Sequence, residues 1–270
     1  MITEEKITGI FDSHAHYYDG RFAREYEGGA EALLSAICPE PVAQILNVGT
    51  NLENAKAVLE QAAQHDGMYA AIGIHPEDCH AYTNEEEALA KLEGLLKENR
   101  AGGKLVALGE IGLDYHYDDT DKELQAAYFD AQLSLAEELG VPVIIHDRDA
   151  HADVFDALMR HPRVTGVMHS FSGSAEMAAD YARRGWYISF SGTVSFKNAR
   201  KVVEAAAVVP DERILIETDA PYLAPHPYRG QRNDSGFLVY TNAALAAARG
   251  VSPEETASLT LANAKRLFRL

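Results

Sequence analysis

Phe11-Asp12-Ser13-His14-Ala15-His16 is the stretch on which the reading of this chain turns. An apolar run from Ile7 to Ile10 precedes it and reads as a short buried strand. On an extended chain, residues two apart point the same way, so His14 and His16 project together from one strand end. Two imidazoles held side by side suit one divalent cation. A lone His-x-His also has an ordinary reading as two surface histidines past a strand, so its weight depends on what later strands carry.

Outward from that stretch, short β-rich runs alternate with helical patterns in units of about 30 residues, as in a βα repeat. Strands are expected at Gln44–Val48, Met68–Ile74, Leu105–Leu108, Val141–Ile145, Thr165–Met168, Trp186–Phe190 and Ile214–Ile216. Between them lie helices with apolar stripes, such as Ala55, Val58, Leu59 and Ala62, or Leu124, Tyr128, Ala131, Leu135 and Leu139. Thr83 or Asn84 caps the helix that opens on three glutamates, and Thr120 with Glu123 forms a capping box for the long helix ending at Gly140. Ser252-Pro253-Glu254-Glu255 starts the last helix. Eight strand–helix units in about 250 residues is the count of a closed (β/α)8 TIM-type barrel. An open doubly wound sheet is the competing α/β architecture, but no Gly-rich phosphate loop follows strand one. No composition break divides the chain, so residues 1–270 read as one domain.

The net charge of −17 argues against extended non-specific grip on nucleic acid, which depends on Lys and Arg neutralising phosphates. It leaves room for brief contact with a nucleic-acid end at a cation-lined pocket. The two cysteines, Cys38 and Cys79, form no CxxC and suit a reducing compartment. The N-terminal MITEEKITG lacks the apolar core of a signal peptide, and no run is long enough to span a membrane. The expected address is cytoplasmic, with no membrane association and no stable protein partner.

The ends of the strands carry the chemistry. His14 and His16 follow strand one, Glu110 follows four, His146 five, His169 six and Asp219 eight. In a barrel these ends converge on one face. Singly, His146 and His169 are ordinary rim histidines, Glu110 a loop acid and Asp219 a helix cap before Pro221. Together, four imidazoles and two carboxylates exceed the needs of one ion and suit two divalent cations sharing a carboxylate. Glu110 is the expected bridge, because strand four lies between the two sets. The mixed N/O donors fit Mg2+, Mn2+, Zn2+ or Fe2+.

In order along the chain, FDSHAH, IGIHP, LGEIGLDY, VIIHDRD, HSFSG, YISFSGTVSFKNA, LIETDAPYLAP and NAKRLF resemble the motifs of the TatD-type metal-dependent deoxyribonucleases of the amidohydrolase superfamily. The resemblance runs from Ile10 to Leu270. It implies a TIM-type barrel, a divalent-metal centre, hydrolysis of phosphodiester bonds in DNA, and the ligand set His14, His16, Glu110, His146, His169 and Asp219. Where many amidohydrolases carry a bridging carboxylated lysine, this chain has Glu110, as TatD-type members do. After strand eight the family usually continues with Arg-Gly and then Asn-Glu-Pro, where this chain reads Arg229-Gly230-Gln231-Arg232-Asn233-Asp234-Ser235. That loop is expected to border substrate.

The metals would lower the pKa of a shared water and polarise a phosphoryl oxygen, with Asp219 taking the proton as general base. Asp219 and Glu110 are therefore the catalytic pair. His75, Arg148, Lys197, Arg229 and Arg232 are candidates for holding phosphate oxygens. Glu217, two before Asp219, is expected to support a ligand from behind. DNA ends or single strands are the expected substrate. The same machinery would serve a carbonyl ester such as D-aminoacyl-tRNA, or a small-molecule amide.

Overall fold

The computed structural model describes residues 9–270. Eight parallel strands run β1 to β8 in sequence order around one sheet: β1 Ile10–Ala15, β2 Val42–Gly49, β3 Met68–Ile72, β4 Leu105–Asp114, β5 Val143–Arg148, β6 Gly166–Met168, β7 Tyr187–Phe190 and β8 Ile214–Ile216. Helices α1 Gly20–Glu25 and α2 Gly29–Ile37 follow β1, and α3 Leu52–Gln64 follows β2. Then come α4 Glu85–Asn99, α5 Lys122–Leu139, α6 His151–Arg160, α7 Ala175–Arg183, α8 Arg200–Val208, α9 Leu238–Arg249 and α10 Pro253–Phe268. Each of the seven steps from β1 to β8 is a parallel ladder. The sheet closes where Ala15 bridges Ala220, where Asp219 N–H donates to His14 O at 2.9 Å, and where His16 N–H donates to Ala220 O at 2.7 Å. This is a nearly closed barrel, as the strand count predicts.

Four local differences from the sequence reading have clear causes. Of the expected first strand, Ile7 and Thr8 lie outside the described residues, and β1 is instead the FDSHA run itself. Its polar residues Asp12, Ser13 and His14 are fully buried. They are tolerated because Asp12 accepts from Thr218 N–H and Oγ1–H, at 2.9 and 2.6 Å, and from Ser235 Oγ–H at 2.6 Å, while Ser13 Oγ–H donates to Ile216 O. The second difference is β4, which runs to Asp114 rather than Leu108 and so carries Glu110 within the strand. Two glycines allow this. Gly112 has φ +149, and a Cβ there would stand 1.9 Å from His146 O; at Gly109, with φ +138, it would meet Ile144 O at 2.7 Å.

The third difference concerns α5. It is capped by Asp121, whose side chain accepts from Leu124 N–H, not by a Thr120–Glu123 box. Its deepest face is Gln125, Tyr128, Phe129, Gln132, Leu133 and Ala136, one position off the expected stripe. The two glutamines obscure the apolar period because they serve open backbone at strand ends. Gln132 accepts from Ile74 N–H and donates to Ile74 O, and Gln125 accepts from Asp114 N–H. Last, α1 and α2 have no counterpart in the sequence reading. Elsewhere the predicted chemistry holds: Asn84 caps α4, and Ser252 with Glu255 makes a reciprocal capping box on α10.

Candidate metal centre

All six expected ligands meet at the C-terminal end of the barrel. The parallel ladder places Gly112 beside His146, and the close approach at Gly112 sets Glu110 against β5. Glu110 then stands between two donor groups. Its Oε2 lies 3.3 Å from His14 Nε2 and 3.8 Å from His16 Nε2. Its Oε1 lies 2.7 Å from His146 Nδ1, 3.0 Å from His169 Nε2 and 3.5 Å from His75 Nε2.

On the first side, His14 Nε2 and His16 Nε2 face each other at 3.1 Å, with Asp219 Oδ1 at 3.8 and 3.3 Å. His16 Nδ1–H donates to Val48 O at 2.7 Å, so the Nε2 of a neutral ring offers a lone pair. Four donors tetrahedrally placed about 2.0–2.2 Å from an ion are spaced about 3.3–3.6 Å from one another. The observed spacings of 3.1–3.8 Å bracket that value. On the second side, His169 Nδ1–H donates to Glu217 Oε1 at 2.9 Å, which also accepts from Ser170 N–H at 2.7 Å, leaving His169 Nε2 toward Glu110. His14 Nδ1 and Glu217 Oε2 are buried without hydrogen-bond partners among the described residues. The donor set and its spacing fit divalent cations.

The ionisation of the cluster without a cation follows the same geometry. Burial alone would neutralise Glu110, but the imidazoles of His169, His75 and His14 hold it well below the usual carboxylate range. Burial likewise works against Asp219, and the hydrogen bond from His16 leaves it below its ordinary value. Burial opposes the charge on His146, yet hydrogen bonds to Asp114 and Glu110 push it up to about 9. His169 is raised well above its ordinary value, because Glu110 and Glu217 outweigh its burial. His14 goes the other way, lowered by burial and by His169, whose ring stacks on it at 4.0 Å.

The cluster floors an open cavity of about 330 Å³, lined further by Tyr18, Thr50, His75, Glu77, Asp78, Arg148 and Tyr222. His75 Nδ1 accepts from Glu77 N–H at 3.2 Å, so a neutral ring carries its proton on Nε2 and works as a donor rather than as a lone-pair ligand. Arg148 lines the cavity wall with Nη1 3.8 Å from Asp114.

The other basic candidates fall elsewhere. Lys197 is exposed and does not line the cavity. Arg229 is also exposed, its guanidinium lying over the Phe196 ring at 4.4 Å. Arg232 packs its guanidinium over Phe22 and Tyr26, 3.6 Å from Asp234, as part of the scaffold. A position just after a strand fixes where a loop begins, not which way it turns. The end of that loop also differs from expectation: Asn233, Asp234 and Ser235 are buried, and Ser235 holds Asp12 rather than bordering substrate. Asp114, in contrast, carries no assignment from the sequence, although it sits in the LGEIGLDY motif and contacts His146.

Comparison with known proteins agrees with this geometry. The family model described as TatD related DNase matches residues 11–269. The uncharacterized metal-dependent hydrolase YabD of Bacillus subtilis is 41% identical over 97% of this chain and 99% of its own. The uncharacterized metal-dependent hydrolase YcfH of Escherichia coli is 36% identical over 97% and 96%. Among solved structures, the TatD homologue YjjV of Escherichia coli superimposes with a TM-score of 0.89 at 33% identity, covering 98% of this chain and 99% of that one. A barrel whose strand ends gather these histidines and carboxylates, matched end to end by such relatives, belongs to the TatD family of metal-dependent hydrolases.

Proposed function

We propose that the chain is a deoxyribonuclease acting on DNA ends or single strands, with two divalent ions held by His14, His16 and Asp219 on one side and His146 and His169 on the other. The observation that carries this reading is the placement of Glu110, one oxygen toward each set, on the floor of an open cavity. Mg2+, Mn2+ or Zn2+ there would supply Lewis acidity, lowering the pKa of a water and polarising a phosphoryl oxygen.

The side chains do the rest. Asp219, with its carboxylate facing His16 and the cavity, takes the proton of the attacking water. His75 donates its Nε2–H to a phosphoryl oxygen, and Arg148 holds a neighbouring phosphate. A cavity of about 330 Å³ takes about one nucleotide of substrate, not the width of a duplex. Cys38 and Cys79 are both free thiols, which suits a cytoplasmic address.

A carbonyl ester such as an aminoacyl-tRNA is the second reading. The observation in its favour is acidic: Glu77 and Asp78 line the same cavity, where an α-ammonium group would be welcome and a phosphate less so. The two readings separate in one experiment. Protein of measured metal content is given single-stranded DNA, duplex DNA and aminoacyl-tRNA side by side. Metal-dependent release of nucleotides from single strands is the expected result. Ester turnover with intact DNA would replace the first reading by the second.

A further inference from the structure

We infer that Asp114 is the positioning residue that fixes the tautomer and ring orientation of His146, and so sets the affinity of one ion of the pair. Asp114 is the last residue of β4, four along from Glu110 on the same strand, and is 1% exposed. Its carboxylate is itself anchored, because Oδ1 accepts from His116 N–H at 3.0 Å and Asp114 N–H is held by Gln125 Oε1 at 2.9 Å. That leaves Oδ2, which accepts from His146 Nε2–H at 2.9 Å.

A proton fixed on Nε2 leaves the lone pair of His146 on Nδ1, the atom 2.7 Å from Glu110 Oε1. The ring is thus clamped between two carboxylates of one strand. The other two oriented rings are set differently. Val48 O takes the Nδ1 proton of His16 and Glu217 takes that of His169, so both present Nε2. Among the described residues His14 lacks such a partner, its Nδ1 being unpaired. Asp114 is therefore the acceptor that makes His146 present the opposite nitrogen from its neighbours. Such acceptors raise the basicity of a ligating ring as well as aiming it. The same Oδ2 lies 3.8 Å from Arg148 Nη1, so one buried carboxylate stands behind both a ligand and the cavity's arginine.

The test is metal binding rather than turnover, so it stands or falls separately from the nuclease reading. Metal-free protein is titrated with Mn2+ by calorimetry, and with Co2+ followed by its visible absorption. Loss of an outer partner of a ligating histidine typically costs about 10–100-fold in affinity. Asp114→Ala is expected to lose that much for one ion and keep wild-type affinity for the other. Asp114→Asn retains an oxygen acceptor and is expected to lose less, for the same ion; it also carries the test if the alanine variant does not fold. Wild-type affinity for both ions in the two Asp114 variants would overturn the inference. So would an equal loss at both ions.

Discussion

Asp219 holds the backbone in the left-handed region, with φ +60, immediately beyond β8. A non-glycine residue rarely adopts that conformation, and it persists where the surroundings enforce it. Here they include its N–H bond to His14 O, which turns the carboxylate toward His16. If Asp219 takes the proton of the attacking water, Asp219→Asn should lower kcat by about 10²–10⁴-fold while His146 and His169 still hold an ion. The check is kcat at saturating Mn2+ beside metal content, and near wild-type turnover with metals in place removes Asp219 from the catalytic pair. Glu217→Gln, altering the partner of His169 Nδ1, should cost roughly 10–100-fold. At this scale the six candidate ligands were legible because each stands at or near the C-terminal end of a strand with a side chain suited to a cation. Asp114 was not legible, since an acid before Tyr115 looks like any loop carboxylate until His146 is seen against it. That Arg229 and Lys197 fall outside the cavity lining was hidden for the complementary reason: charge is visible in sequence, but the direction of a loop is not.

Among the elements, β4 and β5 are the pair on which the centre depends, and Gly112 is where they come closest. A methyl at that position would overlap His146 O and would also sit at an unfavourable φ. Gly112→Ala should therefore destabilise the protein by about 1–3 kcal/mol or more, the usual scale for overpacking, and weaken metal binding with it. Thermal unfolding of the metal-free variant measures the first effect and calorimetry the second. The loop after β8 gives a contrasting case. Ser235 donates to Asp12 and accepts from Tyr17 OH, all three being buried. Ser235→Ala should cost about 1–3 kcal/mol by leaving the Tyr17 O–H without its acceptor and removing one of the donors to Asp12, with metal content unchanged. Loss of metal in that variant would show that the loop supports the centre directly. The alternation of strands and helices was readable from period and caps. What hid β1 and the α5 face was buried polarity: Asp12, Ser13, Gln125 and Gln132 are polar residues inside the core, and no hydrophobic pattern reveals a hydrogen bond formed across the barrel.

For the whole molecule, charge sets two expectations. In the metal-free protein His146 is raised to about 9, above the ~6.5 of an unfolded chain. Its contribution to stability is then fully present below pH about 6.5 and is lost as pH rises through about 9. Ion binding needs the neutral ring, so affinity should climb over the same interval, with protons released on binding. Metal-free melting temperature and ion affinity should move in opposite directions between those pH values, and an affinity independent of pH would exclude His146 as a ligand. The second expectation concerns DNA. With a net charge of −17, and with Arg148 the one Lys or Arg lining the cavity among the described residues, few phosphates can be neutralised. The slope of log K against log salt for a single strand should be shallow, about −0.7 per phosphate held and about −1 in total. A slope several times steeper would locate a basic surface away from the cavity.

The barrel's seam has a consequence for how the chain is held together. β1 and β8 share no ladder, only the Ala15–Ala220 bridge and a few hydrogen bonds at the rim. His14 and His16 stand on one lip of that seam and Asp219 on the other. An ion bound by all three would act as a clasp between the first and last strands, fastening residues some two hundred positions apart in the chain. Stripping the metal should then open the molecule like an unbuttoned cuff. Amide exchange should quicken along Ile10–Ala15 and Ile214–Ile216 before it does in β3 or β5, and protease should find the first and last strands sooner than the middle of the sheet.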